Sequence, residues 1–167
     1  DALFDQRLTV LSAIEHMGKP WVATLFGYCV GGGLELPLAC HFRLAAEEGA
    51  QIGLPELHLG TVPAWGGSAR LARRVGRDRA IDMILRAKTI SGPEALHIAL
   101  VNEVWPNAEL KARAIALAEE LAAMPRLAVK AMLGCLVDAE TKTLAESLRD
   151  ERRAVHEAAR ATLSAIE

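Results

Sequence analysis

The chain has 167 residues, 51% of them hydrophobic, with 19 basic and 21 acidic side chains and a formal charge of −2. That length suits one domain able to bury a sizeable core. The near-neutral charge and only 4% aromatic residues argue against a nucleic-acid partner, and no apolar run reaches the ~18–20 residues of a membrane span. Asp1, Asp5 and Glu15 make residues 1–17 unlike a signal peptide. The cysteines (Cys29, Cys40 and Cys135) are odd in number and lack metal-ligand spacing, which suits buried apolar residues in a reducing compartment. A soluble cytoplasmic protein is expected, with no membrane and no nucleic acid among its partners.

In chain order, Leu3, Phe4, Leu8, Leu11, Ile14 and Met17 fall at helical spacing, and Gly18 and Pro20 stop that helix. Residues 21–27 (WVATLFG) form a short apolar run bounded by turn residues, a buried strand. A helix follows over about 34–40, a second strand over 42–46 and a short extended piece over 50–53. Residues 53–67 hold too much Gly and Pro for regular structure and read as a long loop. Helices then dominate, at about 68–75, 78–86, 92–99, 107–123, 126–137 and from 141 onward. Residues 100–105 (LVNEVW) make a possible third strand among them. The chain is therefore α/β at the front and helical at the back.

The stretch GYCVGGGLELPLAC, residues 27–40, carries the first chemical signal. A strand, a glycine turn and a helix start together make a site for negative charge. The first helical turn has unpaired N–H groups, and the macrodipole adds partial positive charge there. Such a site holds either a phosphate or an oxyanion that develops during reaction. Neither G-x-x-x-x-G-K-[ST] nor G-x-G-x-x-G is present, which weakens the phosphate reading. A plainer alternative is that Gly31, Gly32 and Gly33 only permit tight strand–helix packing. Glu35 in the first helical turn would be favoured by the dipole alone. Its neighbours Leu34, Leu36 and Leu38 are apolar, however, and such surroundings suit proton transfer. Glu56, in GLPELHLG, is either an exposed loop acid or the second member of a carboxylate pair.

Several ordered motifs then become recognisable: KPWVATLFGYCVGGGLELPLACHFRLAA, IGLPELHLGTVP, GGSARLARRVG and ISGPEALHIALVNEVWP. From about Lys19 to Pro106 the chain resembles the enoyl-CoA hydratase/isomerase (crotonase) family. The resemblance implies a ββα-spiral core over residues 1–106, with the front of that fold absent, and a helical oligomerisation region over 107–167. It implies an acyl-CoA thioester substrate, with coenzyme A as part of the substrate rather than a cofactor, and no metal. The middle glycine, Gly32, would supply a backbone N–H to the thioester oxygen, flanked by Gly31 and Gly33. Glu35 and Glu56 would be the catalytic acid/base pair. The expected reaction is hydration of a 2-enoyl-CoA to a 3-hydroxyacyl-CoA. Isomerisation or other acyl-CoA enolate chemistry, or a non-catalytic truncated homologue acting in assembly, are the alternatives.

The departures from the family pattern also carry expectations. Where the family usually has P-G-x-G-G-T-x-R-L, this chain has PAWGGSARL, and Pro63 and Trp65 are expected to line the acyl pocket. The acid that often follows the A-C pair is His41 here, with no catalytic role assigned. Arg70, Arg73, Arg74 and Arg77 could meet CoA phosphates, although a solvated helix face or a subunit contact is the plainer reading. The family's other oxyanion donor lies upstream of the Lys19-Pro20 strand, and this chain starts one helix before it, so these residues alone are expected to be a poor catalyst. By resemblance the protein assembles as a trimer or a dimer of trimers.

Overall fold

Twice in the front half of the molecule a short strand, a turn and a second short strand carry the chain from one small sheet to another. The computed structural model describes residues 2–163. Helix α1 (Ala2–Glu15) leads to β1 (Val22–Leu25), a turn at Gly27 and β2 (Tyr28–Val30). Helix α2 (Gly32–Ala39) returns the chain to β3 (Phe42–Ala46), which a turn at Gly49 joins to β4 (Gln51–Gly53). The second unit stacks on the first in parallel: Val22 pairs with Phe42 in one sheet, and Tyr28 with Gln51 in the other. The turns stack as well, since the Gln51 N–H donates to the Gly27 carbonyl at 2.8 Å.

A 3-10 helix (Glu56–Leu59), α3 (Gly67–Val75) and α4 (Arg77–Leu85) follow. The chain then adds β5 (Thr89–Ile90), α5 (Gly92–His97) and β6 (Glu103–Trp105). The completed sheets have the orders β1-β3-β6, all parallel, and β2-β4-β5, in which β5 runs antiparallel. Leu25, Leu34, Leu38, Leu44, Ile52 and Leu54 are fully buried in the core these elements share. Burying a side chain of that kind is worth about 1.5–3 kcal/mol.

The observed strands are shorter and more numerous than the sequence reading. The run over 21–27 divides into β1 and, past the Gly27 turn, β2. The piece over 100–105 is a strand only from Glu103, and β5 forms at Thr89–Ile90, between two expected helices where the sequence reading places no element. The long loop over 53–67 contains the 3-10 helix, whose Gly60 cap returns its N–H to the Glu56 and Leu57 carbonyls. Helix α2 begins at Gly32, two residues earlier than expected, and includes Pro37.

Two devices fix α2. Its Leu34 and Glu35 amides donate to the Gly31 carbonyl at 2.8 and 2.9 Å. At the other end, buried Arg43 donates to the Cys40 carbonyl at 2.5 Å, to Leu100 O at 2.7 Å and to Pro37 O at 3.4 Å. The contacts to Cys40 and Pro37 satisfy carbonyls at the helix C-terminus, where a cation is favoured. Burial holds the guanidinium pKa down at about 10, with the nearby Arg74 charge adding to the effect.

Behind the sheets, α6 (Asn107–Ala122) packs on β1, β3 and β6 and buries Leu110. Helices α7 (Arg126–Asp138) and α8 (Leu144–Leu163) pack chiefly on each other. Among the described residues no helix is long and apolar enough to cross a membrane.

Candidate active site

The structure brings two glycine-bearing turns side by side. Val30 pairs with Gly53, and the Gly31 N–H donates to the Gly53 carbonyl at 3.2 Å. The segment after β2 begins α2, and the segment after β4 begins the 3-10 helix. Glu35 and Glu56 therefore arise from neighbouring chain exits.

Gly31 has φ 57°, a conformation that favours glycine. Any Cβ there would lie 3.1 Å from Glu56 Oε1, so the second carboxyl lies against the turn that opens α2. No side chain caps that helix. The Gly32 and Gly33 amides have no residue four back within the helix, and no backbone hydrogen bond runs from either to another element. Donors of this kind at a helix start are what a developing oxyanion requires.

Glu35 is 2% exposed. Its Oε1 accepts two backbone hydrogen bonds, from the Trp65 N–H at 2.7 Å and the Gly67 N–H at 2.9 Å. Gly67 permits this approach: a Cβ at that position would fall 2.8 Å from Glu35 Cγ and Oε1. The carboxylate is thus held in one place by main chain from a loop thirty residues away in sequence.

Glu56 differs. It is half-buried, and its Oε2 is buried without a hydrogen-bond partner. Burial raises its pKa above the ordinary glutamate value, partly opposed by a hydrogen bond from its own backbone N–H, and the Glu35 charge raises it further. The two carboxyl groups therefore feel one another, the condition under which one holds its proton more firmly.

Trp65 is half-buried between these groups and α1. Its six-membered ring lies against Gly32, where a Cβ would fall 2.4–3.1 Å from ring atoms Cζ3, Cη2 and Cε3. The Arg7 guanidinium sits 4.5 Å from the indole centroid. Pro63 is half-buried in the same loop. Gly33 faces elsewhere: the nearest atom to a Cβ built there is the Tyr28 carbonyl oxygen, at 3.8 Å.

Two positions acquire a purpose that the sequence did not disclose. Arg70 binds the Glu15 carboxylate through Nε and Nη2, both at 2.7 Å, and donates from Nη1 to the Trp65 carbonyl at 2.8 Å. It therefore fixes the loop that fixes Glu35 and is not free for a CoA phosphate. Fifty-five residues separate Arg70 from Glu15, so no spacing rule could have paired them. Arg73 and Arg74 approach Glu140 at 3.4 and 3.8 Å, and Arg77 is exposed at the start of α4. His41 is structural: its Nδ1 accepts from the Trp21 N–H at 3.0 Å, and its Nε2 meets the Glu15 carbonyl at 3.2 Å. Burial lowers its pKa, consistent with a neutral ring.

A cleft of about 890 Å³ lies apart from these groups, between α4, β5 and α5, with Asp82, Lys88 and Glu94 on its walls. It contains neither Glu35 nor Glu56.

Parallel stacked ββα units, with an uncapped glycine helix start beside two carboxyl groups, define a crotonase-type α/β spiral. The chain belongs to the enoyl-CoA hydratase/isomerase family, whose sequence pattern matches residues 3–164. It is 43% identical over 118 residues to the fatty acid oxidation complex subunit alpha of Shewanella sp. (strain ANA-3), covering 70% of this chain and 17% of that one. It superposes on an enoyl-CoA hydratase of Geobacillus kaustophilus HTA426 with a TM-score of 0.87 and 37% identity, over 90% of this chain and 57% of that one. A Thermobifida fusca YX protein assigned as an enoyl-CoA hydratase, crystallised with acetoacetyl-CoA, gives a TM-score of 0.88 at 32% identity, over 94% of this chain and 61% of that one. The chain thus spans little more than half of such structures and less than a fifth of the Shewanella subunit.

Proposed function

We propose that this chain hydrates a 2-enoyl-CoA thioester to a 3-hydroxyacyl-CoA. One water adds across the C2–C3 double bond, its oxygen to C3 and a hydrogen to C2. Glu35 takes the proton from water as the C3–O bond forms, and Glu56 delivers a proton to C2. The thioester oxygen, which gains negative charge meanwhile, is steadied by the Gly32 N–H. Coenzyme A enters as part of the substrate, and neither a metal nor a further cofactor is invoked. The names of the Shewanella and Thermobifida relatives support an acyl-CoA substrate.

The observation that carries this reading is the asymmetry of the two carboxyl groups beside Gly32. Glu35 is locked by two main-chain donors, whereas Glu56 has an unpartnered buried oxygen and a raised pKa. A fixed base and a proton-holding acid are what addition of water requires. Replacing either residue, Glu35→Gln or Glu56→Gln, should lower kcat by ~10²–10⁴-fold with little change in KM. Near-normal turnover in both folded variants would remove the assignment.

Double-bond isomerisation is the second reading, and one observation favours it. Oε1 of Glu35 is already engaged with two backbone donors, and a single carboxyl at Glu56 is enough to shuttle a proton within an acyl chain. Product analysis with 2-enoyl and 3-enoyl thioesters separates the two. The same proposal has the protein assembling as a trimer or a dimer of trimers through α7 and α8. Those helices expose Leu127, Met132, Leu136, Leu144, Leu148 and Val155, which supports a partner surface.

A further inference from the structure

An open cavity of about 310 Å³ lies at the surface beside Trp65, lined by Leu3, Val10, Leu11 and Leu36, by Gln6 and Arg7 and by the indole itself. Its size is at the lower end for a small-molecule site, and its walls are mainly apolar, as such sites require. Neither carboxyl group nor any of the three turn glycines lines it, although Leu36 directly follows Glu35 in α2. The feature common to both places is the indole, which forms a wall of the cavity and also lies against Gly32.

We infer that Trp65 closes this cavity off from the reaction centre and so limits the substrate to short acyl chains. The inference rests on the acyl-thioester reading above. A thioester whose oxygen meets the Gly32 N–H must run its acyl chain past the group lying on Gly32, and that group is a large, rigid ring. The ring's backbone cannot slide aside: its N–H is bonded to Glu35 and its carbonyl to Arg70. Arg7, over the indole at 4.5 Å, adds a cation–π contact that holds the ring in place. A short acyl chain ends before the indole. A longer one needs the space that the indole shuts.

Removing the ring joins the cavity to the site. Each methylene that then enters should tighten binding by about fourfold. The test is calorimetric titration of the full chain with butanoyl-CoA, octanoyl-CoA and free CoA, repeated on Trp65→Ala, with Trp65→Leu in reserve should the alanine variant fold poorly. Wild type should bind octanoyl-CoA no more tightly than butanoyl-CoA. In the variants octanoyl-CoA should gain at least tenfold over butanoyl-CoA, and Trp65→Phe should lie between. The same octanoyl-to-butanoyl ratio in wild type and the folded variants overturns the inference. So does a wild type that already prefers octanoyl-CoA tenfold. If neither thioester binds better than free CoA, the acyl-thioester reading falls and this inference with it. If the ratio shifts as expected while wild type hydrates no 2-enoyl-CoA, the gate stands and the hydratase assignment alone fails.

Discussion

Helices α2 and α7 are both rich in leucine and valine or alanine, yet they meet opposite fates. Five of the eight residues of α2 are buried, whereas none of the thirteen in α7 is. The difference comes from what each helix faces. Helix α2 packs on β1, β2 and α3, and every apolar side chain it carries is buried except Leu36. Helix α7 faces mainly α8, a helix with charged residues along much of its length, and leaves Leu136 68% exposed. Apolar composition therefore does not tell where burial occurs; the number of layers around an element does. Glu35 lies in the first kind of environment, where a carboxylate is held by main chain and kept from water, whereas Glu56 sits half-buried at its edge.

The comparison is most strongly challenged by truncating one leucine in each helix. Leu38→Ala, at a fully buried position, should cost about 2–5 kcal/mol of folding stability, measured by urea denaturation. Leu136→Ala should leave monomer stability within about 0.5 kcal/mol. If α7 packs between subunits, that variant should instead shift sedimentation toward smaller species. A wild-type protein that sediments as a monomer at micromolar concentration would remove the assembly proposal.

A smaller effect is expected at the ion pair that ties α1 to the site loop. The Arg70 and Glu15 side chains are 13% and 18% exposed, so their bidentate contact is only partly screened. Arg70→Met should cost about 1.5–3 kcal/mol in stability. It should also lower kcat, because the Trp65 carbonyl loses its anchor. Unchanged turnover in the folded variant would show that the loop keeps its position without Arg70.

The smallest effect is a gain. Glu56 has a raised pKa in the folded chain, so its contribution to stability is fully present below its ordinary value and is lost as pH rises through the folded one. Above that window the charged form is disfavoured, and its unpartnered Oε2 adds to the cost. Glu56→Gln should therefore raise Tm by about 2–4 °C at pH 8, corresponding to about 1 kcal/mol for a half-buried group. At pH 4 the gain should vanish. An equal gain at both pH values would mean that ionisation of Glu56 is not its source.

Much of the core was legible in the sequence because its signals are local. Residues 42–46 form a strand where the short run FRLAA reads as one, and the burial of Glu35 follows from the leucines around it. Strands β2 and β5 were not legible, since three and two residues are too few to show alternation and each exists only through pairing with β4. The candidate site divides along the same line. Gly31, Gly32, Glu35 and Glu56 stand out by residue type and motif. Gly67, Arg70 and Glu15 do not, because what they do depends on groups thirty to fifty-five residues away.

The backbone clamp on Glu35 has a kinetic consequence. Its donors at Trp65 and Gly67 are 30 and 32 residues from the carboxylate, and the Arg70–Glu15 contact that steadies them closes a separation of 55. Loops of that size close only after long-range strand pairing has been achieved, which is the slow part of folding a parallel sheet. Helix α2 can form early and present Glu35, but at that stage the side chain is an ordinary solvated acid. A nascent or partly folded chain thus carries the residues of the candidate site without their arrangement, and the Glu35 carboxylate is held in place only when the last loops shut.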